Sequence, residues 1–259
     1  VTAALPPSAL LRRPEIASRL EGRTPAFFLD YDGTLSPIAP RPELARLPAA
    51  TRDVLRRLAA RFPVAVLSGR GREDVAALVG LDPLIYAGSH GFDIAGPALR
   101  REVGEGLPEI VDRTAAGLRA GLAGLPGVLV EPKRFAVAVH FRLAQEADLP
   151  RIERAVDAAV AAHPELRKTL GKKIFELRPA LEWDKGKALL WLLEQLGRES
   201  VLPLFPFFIG DDLTDEDAFR AVKGRGLGIL VADAPRVTAA DYSLRDPEEV
   251  REFLTVLSS

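Results

Sequence analysis

Two carboxylates, Asp30 and Asp32, stand two positions apart in LDYDGTLS (29–36), at the end of the apolar run AFFL. Like charges repel, so the pair calls for compensation, either by solvent at an ordinary turn or by a cation and a reaction that uses both groups. Matching residue types recur further on: Ser68 and Arg70 after PVAVL, Asp211 and Asp212 after FFIG, and Lys185 at the start of a helical pattern. Together they suit phosphoryl transfer. A carboxylate can attack phosphorus and form an aspartyl-phosphate, splitting one displacement into two easier ones, and Asp30 is the candidate nucleophile. Attack of one anion on another requires a divalent ion between them. Mg²⁺ takes one or two carboxylates plus a phosphate oxygen, and Asp211 is the second carboxylate.

Asp32 is suited to protonate the leaving alkoxide and then to take a proton from water. Gly33 allows the turn that brings the backbone back toward the phosphate. The Ser68 hydroxyl, Lys185, and the turn residues Gly33, Thr34, Gly69 and Arg70 would meet the charge on the transferring oxygens. Taken singly, each has a plain alternative. The first Asp pair could be a solvated turn, residues 211–217 an acidic helix start, and Lys185 a surface lysine.

The elements that must position these groups follow a repeating grammar. AFFLD, PVAVLSG and LIYAGS alternate with helical patterns near 48–62 and 72–79, and the grammar returns with a helix over 185–196, FPFFIGDD, a helix over 215–222, and LGILVAD. Near-continuous apolar strands separated by helices predict an α/β fold with a doubly wound, Rossmann-like parallel sheet buried on both faces. In such a sheet ligands collect at the carboxyl ends of the strands, where Asp30, Asp32, Ser68, Arg70, Asp211 and Asp212 fall, with Lys185 opening a late helix. Between these segments, helices near 108–122 and 150–162 accompany strands of period-two alternation. This predicts a core of residues 1–95 and 181–259 interrupted by an inserted α+β cap, 96–180.

Composition narrows the function classes. With 35 basic and 36 acidic residues there is no global pull toward nucleic acid or an anionic membrane. The absence of cysteine excludes disulfides, thiol catalysis and cysteine metal sites, and fits the cytoplasm. Pro6 and Pro7 interrupt the first apolar stretch, and no run reaches the roughly 18 residues of a spanning helix. A cytoplasmic monomer is expected.

DYDGTL, LSGR, WDKGKAL and IGDDLTDED, in this order, resemble the four signature motifs of the haloacid dehalogenase superfamily of aspartate-nucleophile phosphatases. That resemblance implies Asp30 as nucleophile, Asp32 as acid/base with its carbonyl also on Mg²⁺, Ser68 and Lys185 as phosphate clamps, and Asp211 as a metal ligand. Asp212 and Asp215 would be outer helpers.

The inserted segment narrows the resemblance. If VLVEPKRFAVAVHFR is a hairpin turning at Lys133 and Arg134, Glu131 pairs with Ala136 and shares a face with Ala138, His140 and Arg142. In FELRP, Phe175 and Leu177 take one face, Glu176 and Arg178 the other. One cap face is thus apolar, for the helices, and the other carries the sparse polar groups that a hydroxyl-rich ligand requires. With GSHG (88–91) these segments are similar to the trehalose-6-phosphate phosphatases. The resemblance implies Mg²⁺-dependent hydrolysis of that phosphorylated disaccharide, with Glu131, Lys133, Arg142 and Glu176 on the sugar. His140 stays open between a sugar contact and a structural residue, and His90 between a pocket-lining residue and none. Trp183 could stack on a sugar or pack at a domain joint. The alternatives are the same chemistry on a sucrose phosphate or mannosyl phosphoglycerate, or a sensor phosphorylated on Asp30 without turnover; acid/base help from Asp32 argues against the sensor.

Overall fold

The computed structural model describes residues 4–39, 41, 44–171 and 173–258. In chain order the elements begin with α1 (Arg13–Ser18), β1 (Thr24–Leu29), α2 (Ala49–Ala59), β2 (Val64–Leu67), α3 (Arg72–Val79), β3 (Ile85–Gly88), β4 (Asp93–Gly96) and β5 (Leu99–Glu102). Next come α4 (Leu107–Gly121), β6 (Leu129–Lys133), β7 (Ala136–His140), α5 (Leu149–Ala162), β8 (Leu166–Gly171) and β9 (Ile174–Pro179). The last are α6 (Lys185–Gly197), β10 (Leu204–Gly210), α7 (Glu216–Val222), β11 (Leu227–Val231), β12 (Tyr242–Leu244) and α8 (Pro247–Ser258). The chain divides into two compact units, residues 1–101 with 183–259, and residues 102–182.

The first unit is built on an eight-stranded sheet in the order β12, β11, β10, β1, β2, β3, β4, β5. From β12 through β3 every neighbouring pair is parallel. The chain winds from β1 toward β3 on one side and from β10 toward β12 on the other, so β1 and β10 form the switch point where a doubly wound sheet opens a crevice. Their register sets Leu29 opposite Ile209, which brings the residues just beyond both strands to the same end of the sheet.

Both sheet faces are buried, as the unbroken apolar runs require. Phe27 and Leu29 pack on one face with Phe207, Ile209 and Phe253, while Ala26 and Phe28 pack on the other with Leu189, Phe208 and Phe219. Phe27 stacks on Phe207 with ring centroids 5.3 Å apart. Burying each such ring stabilises the fold by about 2–3 kcal/mol. The helices that cover the faces carry apolar residues at helical spacing, as in α2 with Val54, Leu55 and Leu58.

β3 and β4 are antiparallel, so GFDIAGPALRRE, whose glycines and proline suggest a boundary, is in fact a hairpin that extends the core sheet. The division into units therefore falls between Arg101 and Glu102, beyond the 95/96 boundary expected from the sequence. Among the described residues no helix is long and apolar enough to cross a membrane.

The second unit is an antiparallel sheet in the order β6, β7, β9, β8, with α4 and α5 supplying apolar side chains such as Val111, Leu118, Ile152 and Val156. Val130, Val137, Val139, Phe175 and Leu177 are buried on one sheet face.

Candidate active site

Asp30 follows β1 and is held by its backbone N–H, which donates to Ile209 O at 2.9 Å. Its Oδ1 accepts from Lys185 Nζ at 2.6 Å, and the same ammonium donates to Asp215 Oδ1 at 2.6 Å. All three side chains are removed from water, with Lys185 at 3%, Asp30 at 5% and Asp215 at 0% exposure. Lys185 reaches them because it opens α6, whose first turn is fixed by the Asp184 carboxylate accepting from Lys187 N–H. Gly186 lets α6 approach the neighbouring backbone: a Cβ there would lie 2.4 Å from Asp217 O.

Asp215 organises the loop after β10. Its Oδ2 accepts from the N–H groups of both Asp211 and Asp212 at 2.9 Å, a reciprocal cap with Asp212. Arg236 closes the loop from outside, donating from Nη1 to Asp211 O at 2.6 Å and from Nη2 to Asp212 O at 3.1 Å. Glu216, 3.7 Å from that guanidinium, also accepts from Ala239 N–H. Neither Arg236 nor Glu216 is singled out by sequence reasoning. Arg236 lies in an alanine-rich stretch with no motif around it, and only folding brings it under residues 211 and 212.

Asp211 accepts from the Thr34 hydroxyl at 3.2 Å and lies so close to the first turn that a Cβ on Gly33 would come within 2.2 Å of its Oδ2. Gly33 also has φ +83°, where a side chain is strained. Carboxylate oxygens of Asp30, Asp211 and Asp215 lie within 4.8 Å of one another. Burial first, then Asp215 and Asp211, push the Asp30 carboxyl well above the usual range against the pull of Lys185. Burial and Asp215 likewise raise Asp211 to about 6. Burial alone would lower the Lys185 ammonium, but Asp30 and Asp215 hold it above its ordinary value. Three carboxylates share one ammonium, so the cluster is short of positive charge.

That deficit and the all-oxygen donor set fit a hard divalent cation. Asp215 has both oxygens hydrogen-bonded, to Lys185 and to the loop N–H groups, so Asp30 and Asp211 are the carboxylates with the freer oxygens. The Asp32 carboxylate is elsewhere: Arg70 holds it with two bonds of 2.7 Å, Nε to Oδ2 and Nη2 to Oδ1. Arg70, expected at the phosphate, thus pairs with the expected acid/base and also reaches Asp74 at 3.1 Å. Ser68 is buried, and its Oγ accepts from Arg70 N–H at 3.1 Å, an arrangement that leaves the hydroxyl proton to donate. The His90 ring lies against Gly69, where a Cβ would come within 2.9 Å of Cε1. Asp212 is exposed and caps the turn, accepting from Leu213 N–H at 2.5 Å.

In the second unit the hairpin register differs from the expected one. Glu131 pairs with Ala138 and Lys133 with Ala136, so the turn is Arg134–Phe135 and Phe135 is buried. The shift is by two residues, which preserves the face of every side chain. Glu131, Lys133, His140 and Glu176 accordingly share the face opposite the apolar residues. His140 Nε2 meets Glu131 Oε2 at 2.8 Å, Lys133 Nζ donates to Glu176 Oε1 at 3.0 Å, and Arg178 donates to Glu176 Oε2 at 2.5 Å. Burial alone would raise the Glu176 carboxyl, but Lys133 and Arg178 hold it below the ordinary value. Arg142 is not on the strand, which ends at His140; it is exposed in the following turn.

A parallel sheet with paired acidic loops at its switch point is the architecture of the haloacid dehalogenase-like hydrolases. A crystal structure of such a hydrolase from Bacteroides thetaiotaomicron matches with a TM-score of 0.64 over 91% of this chain and all of that one; at 16% identity the match is one of fold. The profile of the trehalose-phosphatase family matches residues 28–248, and the chain belongs to that family. "Probable trehalose-phosphate phosphatase 4" of Oryza sativa subsp. japonica is 46% identical over 256 residues, 96% of this chain and 70% of the relative. A solved Aspergillus fumigatus trehalose-6-phosphate phosphatase matches with a TM-score of 0.71 and 26% identity, over 98% of this chain and 99% of that one. The chain is therefore a phosphoric monoester hydrolase.

Proposed function

We propose that this chain hydrolyses trehalose 6-phosphate to trehalose and phosphate, with Asp30 as the nucleophile. The observation that carries the reading is the buried set at the switch point, Asp30 and Asp211 with Lys185 bonded to Asp30, in a chain of the trehalose-phosphatase family. An oxygen of Asp30 attacks phosphorus, the bond from phosphorus to the sugar oxygen breaks, and Asp32 delivers its proton to that oxygen. Water then attacks the aspartyl-phosphate and gives a proton to Asp32, and phosphate leaves with the Asp30 carboxylate restored.

The chain's own residues prepare these steps. Lys185 orients Asp30 and is a positive charge beside the transferring group. Arg70 holds both Asp32 oxygens, so proton transfer requires that pair to open, and a phosphate arriving beside the guanidinium competes for the same donors. Ser68 and the backbone N–H groups of Gly33, Thr34 and Gly69 are the further phosphate donors. Mg²⁺ held by Asp30 and Asp211, with the Asp32 carbonyl, would neutralise the phosphate oxygens.

In this reading residues 102–182 are the specificity cap, and Glu131, Lys133, His140 and Glu176, with Arg142 from the adjoining turn, recognise the sugar hydroxyls. The support is a face that alternates donors and acceptors, as hydroxyl-rich ligands require. A cysteine-free chain suits the reducing cytoplasm, and the scheme needs one copy of the chain. The test is phosphate release from a panel of phosphorylated sugars with Mg²⁺. Trehalose 6-phosphate should be turned over fastest, and equal turnover across the panel would overturn the assignment.

A further inference from the structure

Trp183 stands where the chain re-enters the first unit, just before α6, and its indole Nε1–H donates to Gly91 O at 2.8 Å. Gly91 ends an unusual segment in which Ser89 (φ 50°), His90 (φ 58°) and Gly91 (φ 93°) are all left-handed. Two successive non-glycine residues in that region are strained, and such strain persists only where surrounding contacts over-determine it.

The contacts lead to one place. Ser89 N–H donates to Arg70 O at 2.7 Å and His90 N–H donates to Ser68 O at 2.9 Å. The His90 ring covers Gly69. Every residue of the Ser68–Arg70 loop is therefore met by this one turn. On its other side the turn is pressed against α6, where a Cβ on Gly91 would lie 2.4 Å from Ala188 Cβ and 3.3 Å from Trp183 Nε1. The indole is held in turn by Arg101, whose guanidinium lies 4.8 Å from the Trp183 ring and 4.9 Å from the Trp191 ring.

We infer that Trp183 is a positioning residue for the reaction: its N–H locks the left-handed turn 89–91, and the turn fixes Ser68 and Arg70 where they meet the transferring group. The inference rests on the proposed function, because it takes Ser68–Arg70 as the phosphate loop. It assigns Trp183 neither to sugar stacking nor to packing alone. Those roles make different demands on the enzyme. A sugar platform acts only on sugar phosphates, a packing residue acts on stability, and a brace on the phosphate loop acts on every phosphate ester alike.

The decisive variant is Trp183→Phe in the full chain, which keeps an aromatic ring for Arg101 and removes the N–H donor together with part of the indole, a loss of packing that the thermal midpoint reads separately. Initial rates are measured with trehalose 6-phosphate and with 4-nitrophenyl phosphate, alongside inhibition by inorganic phosphate and the thermal midpoint. The loss of kcat/KM should be about fivefold and equal on both substrates, the equivalent of the ~1 kcal/mol of one neutral hydrogen bond, with phosphate inhibition weakened in parallel. A loss confined to trehalose 6-phosphate would make Trp183 a sugar platform, and a lowered midpoint with unchanged rates would make it packing; either overturns the inference.

A second pair keeps the test independent of how Trp183→Phe folds. Asn tolerates positive φ and Val does not, so His90→Val should lose more activity than His90→Asn on both substrates, and equal losses would refute the brace. A wild type active on the aryl phosphate but not on trehalose 6-phosphate would sink the substrate reading, while the aryl phosphate rates and phosphate inhibition would still test the brace.

Discussion

Replacing Lys185 with methionine isolates the charge at the centre of the site. Methionine matches the buried stem, so little cavity forms, but Asp30 and Asp215 each lose an ion pair of 2.6 Å in a site where Lys185 is 3% exposed. The folded variant has two courses. It can keep an uncompensated buried carboxylate, which costs about 3–5 kcal/mol. It can instead bind one proton more than the native protein. Protonating Asp30 at about pH 7 costs ~1.4 kcal/mol for each unit by which the pH exceeds its native value, which is already raised well above the ordinary carboxylate range.

The less costly course sets the expectation, a loss of more than about 1 and at most about 3–5 kcal/mol in unfolding free energy without metal near neutral pH. The sign of the pH dependence follows. The native Asp30 carboxyl is already raised well above its unfolded value and losing Lys185 raises it further, so the deficit is absent below the native folded value and grows by ~1.4 kcal/mol per pH unit as pH rises from there toward the variant's folded value. Urea unfolding of native and variant chains in EDTA, at about pH 5 and about pH 7, reads this directly. The deficit should shrink on acidification, by up to ~1.4 kcal/mol for each pH unit that lies above the native Asp30 value. A deficit that is the same at both pH values, or below about 1 kcal/mol at neutral pH, would refute the reasoning, because the lysine would then be contributing packing rather than charge.

Asp30→Asn should stay folded and lose at least about 10³-fold in phosphate release, since an amide is not a nucleophile toward phosphorus; an active variant would remove the nucleophile assignment. Gly33→Ala drives a Cβ into Asp211 at positive φ, so it should cost about 1–2 kcal/mol of backbone strain and, by displacing Asp211, about 10²-fold in kcat, read by thermal melts and initial rates. Asp211, raised to about 6, makes the metal-free fold lose stability as pH rises through that value, so the midpoint gained from MgCl₂ over EDTA should increase between about pH 5 and 7.5. Glu176→Ala should lower kcat/KM on trehalose 6-phosphate by about tenfold or more and leave the aryl phosphate within about twofold, since Glu176 lies in the second unit with Lys133 and Arg178.

How much of this was legible in the sequence depends on the range of the interaction. Unbroken apolar runs separated by amphipathic helices are local signals, and they specified a parallel sheet with reactive residues at its carboxyl ends. Alternation in β6, β7 and β9 likewise specified which side chains share a face, because the strand period is two. The same period explains the hairpin misreading. A shift of two residues leaves every face unchanged, so the pattern cannot choose between registers, and burial of Phe135 accompanies the one adopted.

The motif types and their order, from Asp30 to Asp217, are a property of the amino-acid sequence by itself, and they are what points to phosphoryl transfer. Tertiary structure decided who bonds to whom. Lys185 reaches Asp30 across 155 residues only because β10 pairs with β1 and α6 begins beside them. Arg70 is on Asp32, Arg236 is under the acidic loop, and three left-handed residues brace Ser68. Periodicity and propensity report one element at a time, whereas these contacts depend on strand order, loop path and shared burial, terms that exist only once the elements have packed together.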